Sequence, residues 1–253
     1  MNAKTDYIAV FDSGVGGISV LRQLRALMPS ENFLYFGDSA NAPYGTRTRE
    51  EIQALALDAA EKLVQRNIKA LVVACNTATA AAIHVLRQTY PDLIVVGIEP
   101  ALKPAADRYP GGTVGVLATP VTLREEKFRQ LVSQYGGQCQ VVPLPAPGLV
   151  ELIEQGKAEG EEARKLLEEL LSPWKGKLDA LVLGCTHYPF AIRTIWSVIG
   201  TDVELFDGGY GTARETKRRL EAAGLLRSGE GRVVMENSLG SRELLDLSWE
   251  LLG

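Results

Sequence analysis

The chain is 253 residues long, 46% hydrophobic and 23% charged, with mean hydropathy +0.01: the composition of a soluble globular protein with enough apolar material for one large core or two modest ones. A net charge of -4 and a pI near 5.4 argue against a nucleic-acid or membrane-surface partner, which would want a basic face, and no apolar run approaches the roughly 20 residues of a membrane span. The N-terminus MNAKTDYIAVFDS enters a strand almost at once without a cleavable-signal pattern, so a cytoplasmic location is expected, where Cys75, Cys139 and Cys185 stay reduced.

Short β-branched runs alternate with longer amphipathic segments along the chain. Strands are predicted over residues 7–11, 33–36, 70–74, 93–96, 113–117, 139–142, 180–183, 203–205 and 232–235, with helices between them, among them 49–66, 122–134 and 160–171. This βαβ alternation predicts an α/β fold with mainly parallel sheets. The strand runs are apolar throughout, the pattern of strands covered by helices on both faces.

An internal repeat is superimposed on that alternation. KALVVACNTAT (residues 69–79) and DALVLGCTHYP (residues 179–189) share Ala-Leu-Val, then a small residue, a cysteine and a polar residue. At nearly the same offset IAVFDSGVG faces VGVLATPVT, which sets Ser13 against Thr119 after an apolar strand. The chain therefore reads as two similar α/β halves. The expected domains are 1–98 plus 208–253 and 99–207, the tail packing back on the first half.

Ligands of parallel α/β sheets bind outside the carboxyl ends of the strands. Four segments leave a strand with small and polar residues: Asp12 to Gly17, Gly37-Asp38 through Pro43-Tyr44-Gly45, Cys75-Asn76-Thr77, and Cys185-Thr186-His187. Each of these two cysteines is expected at a strand end with a helix following at once, where helix N–H groups favour a thiolate and a bound carboxylate. Asn76, Thr77 and Thr186 add polar side chains there. Taken singly, a cysteine is a small buried hydrophobe, and Cys139 keeps that reading. Two at equivalent positions of a repeat point to paired chemistry. If the halves face one another about a pseudo-twofold with the active site between them, a thiolate and a thiol flank one ligand. Stereoinversion at a carbon needs that pair, one group removing a proton and the other returning one to the opposite face.

Other readings of the same residues are open. Cys75, Cys185, His187 and Asp12 contain zinc-ligand types, but their spacing does not match paired-ligand motifs, so no metal is expected. The Gly14-Val15-Gly16-Gly17 loop lacks the third glycine of a dinucleotide fingerprint, and Asp12 puts negative charge where a pyrophosphate would approach. A tight turn with close backbone access to a small ligand fits better. A non-catalytic two-lobed amino-acid binder would explain the polar strand ends but not the paired thiols. His187 either orients or protonates a group in the site, or is structural. Asp12 either acts there or caps its turn. His84 reads as a surface residue.

Asp12-Ser13-Gly14-Val15-Gly16-Gly17, Pro43-Tyr44-Gly45, Ala74-Cys75-Asn76-Thr77-Ala78 and Gly184-Cys185-Thr186-His187-Tyr188-Pro189 resemble, in order, the glutamate racemases of bacterial cell-wall synthesis, in the aspartate/glutamate racemase superfamily. Pro-Tyr-Gly and Cys-Thr-His-Tyr-Pro favour the glutamate branch over aspartate racemases. The resemblance implies a cofactor-independent amino-acid racemase of two α/β domains that supplies D-glutamate for peptidoglycan. Cys75 and Cys185 would be the acid/base pair, Asp12 assisting Cys75, and His187 with Glu154 assisting Cys185. Asp12, Ser13, Tyr44, Gly45, Asn76, Thr77, Thr119, Thr186 and His187 would bind the substrate. A homodimer is among the assemblies it allows. The sequence departs from the family at Ala118 and Val121, where glycines are usual, and at Ala146, where a cysteine is usual.

Overall fold

The computed structural model describes residues 6–253. The chain divides into two compact units, one formed by the segment up to Glu99 together with Gly209–Gly253, the other by Pro100–Gly208.

The first unit runs β1 (Tyr7–Asp12), α1 (Ile18–Leu27), β2 (Phe33–Gly37), α2 (Arg49–Val64), β3 (Ile68–Val73), α3 (Asn76–Thr89) and β4 (Ile94–Gly97). Between β2 and α2 the chain makes only single 3-10 turns, Ser39–Asn41 and Tyr44–Thr46. A capping box ends this segment: Glu51 N–H donates to Thr48 Oγ1 at 3.3 Å, and Thr48 N–H donates to Glu51 Oε2 at 2.8 Å.

The second unit continues α4 (Leu102–Arg108), β5 (Thr113–Ala118), α5 (Pro120–Arg124), α6 (Glu126–Tyr135), β6 (Gln140–Pro145), α7 (Leu149–Glu154), α8 (Glu161–Leu171), β7 (Ala180–Leu183), α9 (Ile192–Ile199) and β8 (Glu204–Asp207). The chain then returns to the first unit with α10 (Gly209–Ala222), β9 (Val233–Asn237) and α11 (Arg242–Leu252).

Both sheets are parallel. The first has the order β4-β3-β1-β2-β9, the second β6-β5-β7-β8. Read in the opposite direction, the second sheet repeats the first strand for strand, with β5, β6, β7 and β8 in the places of β1, β2, β3 and β4; β9 is the addition. The register repeats too: Phe11 pairs with Val73, and Leu117 with Leu183. Ala74 N–H donates to Phe11 O at 2.7 Å, and Gly184 N–H donates to Leu117 O at 2.7 Å.

Successive residues of a strand point to opposite faces. In the second unit Val114, Val116, Ala180 and Val182 pack with Ala105 and Phe128 on one face, while Leu117, Leu181 and Leu183 pack with Leu149, Leu167 and Ile195 on the other. Helices thus cover both faces, and the central strands are apolar throughout, as expected. The edge strand β6 instead alternates between buried and exposed positions.

Two predicted elements differ. The helix expected over 122–134 starts earlier and breaks. Thr119 caps α5 by accepting from Thr122 N–H, Pro120 supplies its first turn, and Glu125 is extended (φ -67, ψ 145) before α6 restarts. No α-helix follows Cys185 at once, because Tyr188–Ala191, with Pro189 in its first turn, is 3-10 and α9 begins only at Ile192.

Candidate active site

In the first unit the site is assembled at the carboxyl ends of β1, β2 and β3. Asp12, the last residue of β1, is fully buried and accepts from Gly14 N–H at 2.9 Å through Oδ1, so it does cap its turn. Gly17 is needed there for close approach. A Cβ on Gly17 would lie 2.6 Å from Asp12 Cβ and 3.0 Å from Ala74 Cβ. Tyr35 O–H donates to Gly14 O at 2.6 Å and pins the same loop.

Cys75 is the N-cap of α3, and its Sγ accepts from Ala78 N–H at 3.4 Å. Ser13 Oγ lies 3.5 Å from that sulfur. Asn76 and Thr77, the first residues of the helix, are buried, and Asn76 Oδ1 has no hydrogen-bond partner. A buried acceptor in this condition calls for a donor from a ligand or water. Tyr44 is buried with its ring edge-on to Phe11, centroids 6.3 Å apart. Burial, then the hydrogen bond to Asp38 and the charges of Asp38, Cys75 and Asp12, push the Tyr44 phenol far above its ordinary pKa, so it remains a protonated donor. Gly45 follows in the same 3-10 turn.

In the second unit the corresponding strand ends carry different partners. Cys185 is buried, with His187 Nδ1 3.6 Å from its sulfur. The other ring nitrogen, Nε2, is 2.6 Å from Glu154 Oε1 on the last residue of α7. Burial would strip the proton from His187, but Cys185 and Glu154 outweigh it and hold the imidazole pKa well above its ordinary value. Thr186 is buried beside them. Thr119 sits at the end of β5, its hydroxyl 2.9 Å from that of Thr122. Burial, then the charges of Cys185 and Glu151, push the Tyr188 phenol pKa up, and its O–H donates to Ala146 O at 3.3 Å.

The expected residues thus gather as two clusters: Asp12, Ser13, Tyr44 and Cys75 in one unit, and Cys185, His187 and Glu154 in the other. Cys139 stands apart, near Tyr135 O, and burial raises its pKa. His84 is exposed. Among the described residues, no three His, Cys, Asp or Glu side chains are grouped to hold a metal ion. Sequence reasoning missed Asp38, which is buried and accepts from Tyr44 O–H at 2.6 Å. It lies in a strand-leaving segment already marked as polar, and a carboxylate at a strand end was the available signal.

Residues 18–215 match the family model of the Asp/Glu/hydantoin racemases. The chain is 48% identical over 252 residues to a glutamate racemase of Clostridium perfringens, covering 98% of this chain and 97% of that relative. It is similar to the crystal structure of Francisella tularensis glutamate racemase in complex with D-glutamate, with TM-score 0.85 and 28% identity, covering 98% of this chain and 94% of that one. It is likewise similar to the structure of Escherichia coli glutamate racemase in complex with L-glutamate and the activator UDP-MurNAc-ala, with TM-score 0.86 and 32% identity, covering 97% and 95% of the two chains. The chain belongs to the Asp/Glu/hydantoin racemase family, a family of isomerases, within its glutamate racemase branch.

Proposed function

We propose that the chain interconverts L- and D-glutamate with Cys75 and Cys185 as an acid/base pair acting on opposite faces of the α-carbon. The observation that carries this reading is the strand-for-strand repeat, in which a cysteine follows two residues after the end of each of two equivalent strands, β3 and β7. The relatives named glutamate racemase supply the substrate. In one direction the Cys75 thiolate takes the α-proton while the Cys185 thiol gives its proton to the other face; the reverse direction exchanges the roles. Each transfer is general acid/base catalysis, worth about 10²–10⁴-fold. Asp12 assists Cys75, and His187 held by Glu154 assists Cys185. Ser13, Tyr44, Gly45, Asn76, Thr77, Thr119 and Thr186 bind the substrate.

The reading makes residues 1–98 with 208–253 and residues 99–207 two domains, each contributing one cysteine. It requires no metal, nucleotide or pyridoxal group, and its product supplies peptidoglycan synthesis. Among the described residues no helix is long and apolar enough to cross a membrane. We place the protein in the cytoplasm, where both thiols stay reduced, and expect a homodimer, which light scattering checks. The test of the function is circular dichroism of L- and D-glutamate incubated with dialysed, EDTA-treated protein. Decay of both signals to zero is expected. Activity only after zinc is restored, or binding without decay, contradicts the reading.

A further inference from the structure

The two units offer an internal control for the role of Asp38. After β2 the Asp38 N–H donates to Asp12 O at 2.9 Å, and after β6 the Ala146 N–H donates to Ala118 O at 3.0 Å. The same strand-end bond is therefore built with alanine in one unit and aspartate in the other. That strand-end bond does not need the carboxylate. Burying one is costly unless donors meet it, and here they do. Asp38 Oδ2 accepts from Tyr44 O–H at 2.6 Å, and Asn41 Nδ2 donates to both carboxylate oxygens at 3.0 Å. All three residues belong to the stretch between β2 and α2 that lacks longer secondary structure.

We propose that Asp38 is a positioning residue for substrate binding: its carboxylate takes the Tyr44 hydroxyl and the Asn41 amide, and so fixes the segment from which Tyr44 and Gly45 meet the substrate. The proposal rests on reading those two positions as substrate-binding in a glutamate racemase. One consequence is specific. A phenol has a single proton, and here it points at Asp38, so Tyr44 does not donate its hydroxyl to glutamate. Tyr44 and Gly45 contribute through ring, main chain and placement.

The test compares Asp38→Ala, Asp38→Asn, Tyr44→Phe and the Asp38→Ala/Tyr44→Phe double variant with the parent, using L- and D-glutamate as substrates. A group that binds ground and transition states alike changes KM and leaves kcat. KM should rise by about 10- to 100-fold for both enantiomers in Asp38→Ala, as the segment loses its charge-assisted bonds from Tyr44 and Asn41. The kcat should stay within about threefold. Tyr44→Phe should behave similarly, and the double variant should be no worse than Asp38→Ala, which already removes the Tyr44–Asp38 bond along with the Asn41 one. Asp38→Asn, which keeps an acceptor and the side-chain volume, should recover part of the loss. Amide exchange over residues 39–47 should quicken in Asp38→Ala, a readout independent of turnover.

A folded Asp38→Ala with parental KM, a fall in kcat at unchanged KM, or multiplying losses in the double variant would each overturn the proposal. If Asp38→Ala fails to fold, parental exchange and KM in Asp38→Asn and Tyr44→Phe together overturn it. A parent that turns over neither enantiomer removes the racemase reading and this proposal with it; a working parent with an unaffected Asp38→Ala removes this proposal alone.

Discussion

Burial and hydrogen bonding pull His187 in opposite directions, and the outcome is measurable. Its folded-state pKa is held well above the ordinary 6.5 by Cys185 and Glu154. A group raised on folding contributes stability that is fully present below its unfolded pKa and fades as pH rises through the folded one. His187→Gln should therefore lose stability most at low pH and flatten the pH dependence of Tm, read between roughly pH 5 and 9. The same variant should slow racemisation by about 10²–10⁴-fold. Equal stability losses at every pH would contradict the ion pair. Cys185 and His187 could be paired from the sequence because they stand two positions apart. Glu154 lies 33 residues from His187, and no local pattern connects them; only the family resemblance pointed to it. Asp38 was marked only as part of a polar strand-leaving segment and given no role, because its partner Tyr44 is reached through a segment without periodicity.

Among the elements, the strand ends and turns decide the site. Gly17 opens the turn into α1 against Asp12, and a Cβ there meets Asp12 Cβ at 2.6 Å. Neither neighbour can retreat, since Asp12 Cβ and Ala74 Cβ are fixed by the backbone at the ends of β1 and β3. Gly17→Ala should cost about 1–3 kcal/mol by urea titration and displace Asp12, lowering kcat; unchanged kcat would mean the turn gives way freely. Farther from the site, Lys69 at the start of β3 is paired with Glu31 at 2.5 Å, both side chains buried. Lys69 Nζ also donates to Leu225 O, and Glu31 Oε1 accepts from Arg227 N–H, so the pair ties the segment between α10 and β9 to the first sheet. Lys69→Met leaves a buried carboxylate without its cation and should destabilise the protein by about 3–5 kcal/mol in the same titration. A loss under about 1 kcal/mol would contradict the clamp. The strands of the described residues were legible as short runs, and the inner ones were apolar throughout because helices cover both their faces. The break at Glu125 and the 3-10 turn after Cys185 were not, since both depend on turn geometry that amphipathic spacing does not encode.

For the molecule as a whole, the repeat was visible in about ten residues around each cysteine, yet it extends to the order and register of four strands in each unit. What the repeat conserves is the scaffold; what it varies is the chemistry, with Asp12 and Asp38 in one unit standing where Ala118 and Ala146 stand in the other. Two cysteines in unlike surroundings suit a reaction that uses each from one side. Polar groups matched to a longer chain would be left unpaired by a shorter one, so glutamate should turn over far faster than aspartate, and comparable kcat/KM values would contradict the assignment to the glutamate branch. The paired thiols are tested most directly by the racemisation rate of Cys75→Ala, Cys185→Ala and the double variant, with Cys139→Ala as control, followed by circular dichroism from either enantiomer. Each single substitution should reduce the rate by about 10⁴-fold or more, and the double variant should lose little further, because residues that act as a unit are not additive. Cys139→Ala should match the parent. A Cys75→Ala or Cys185→Ala variant that racemises glutamate at the parental rate would contradict the two-cysteine account.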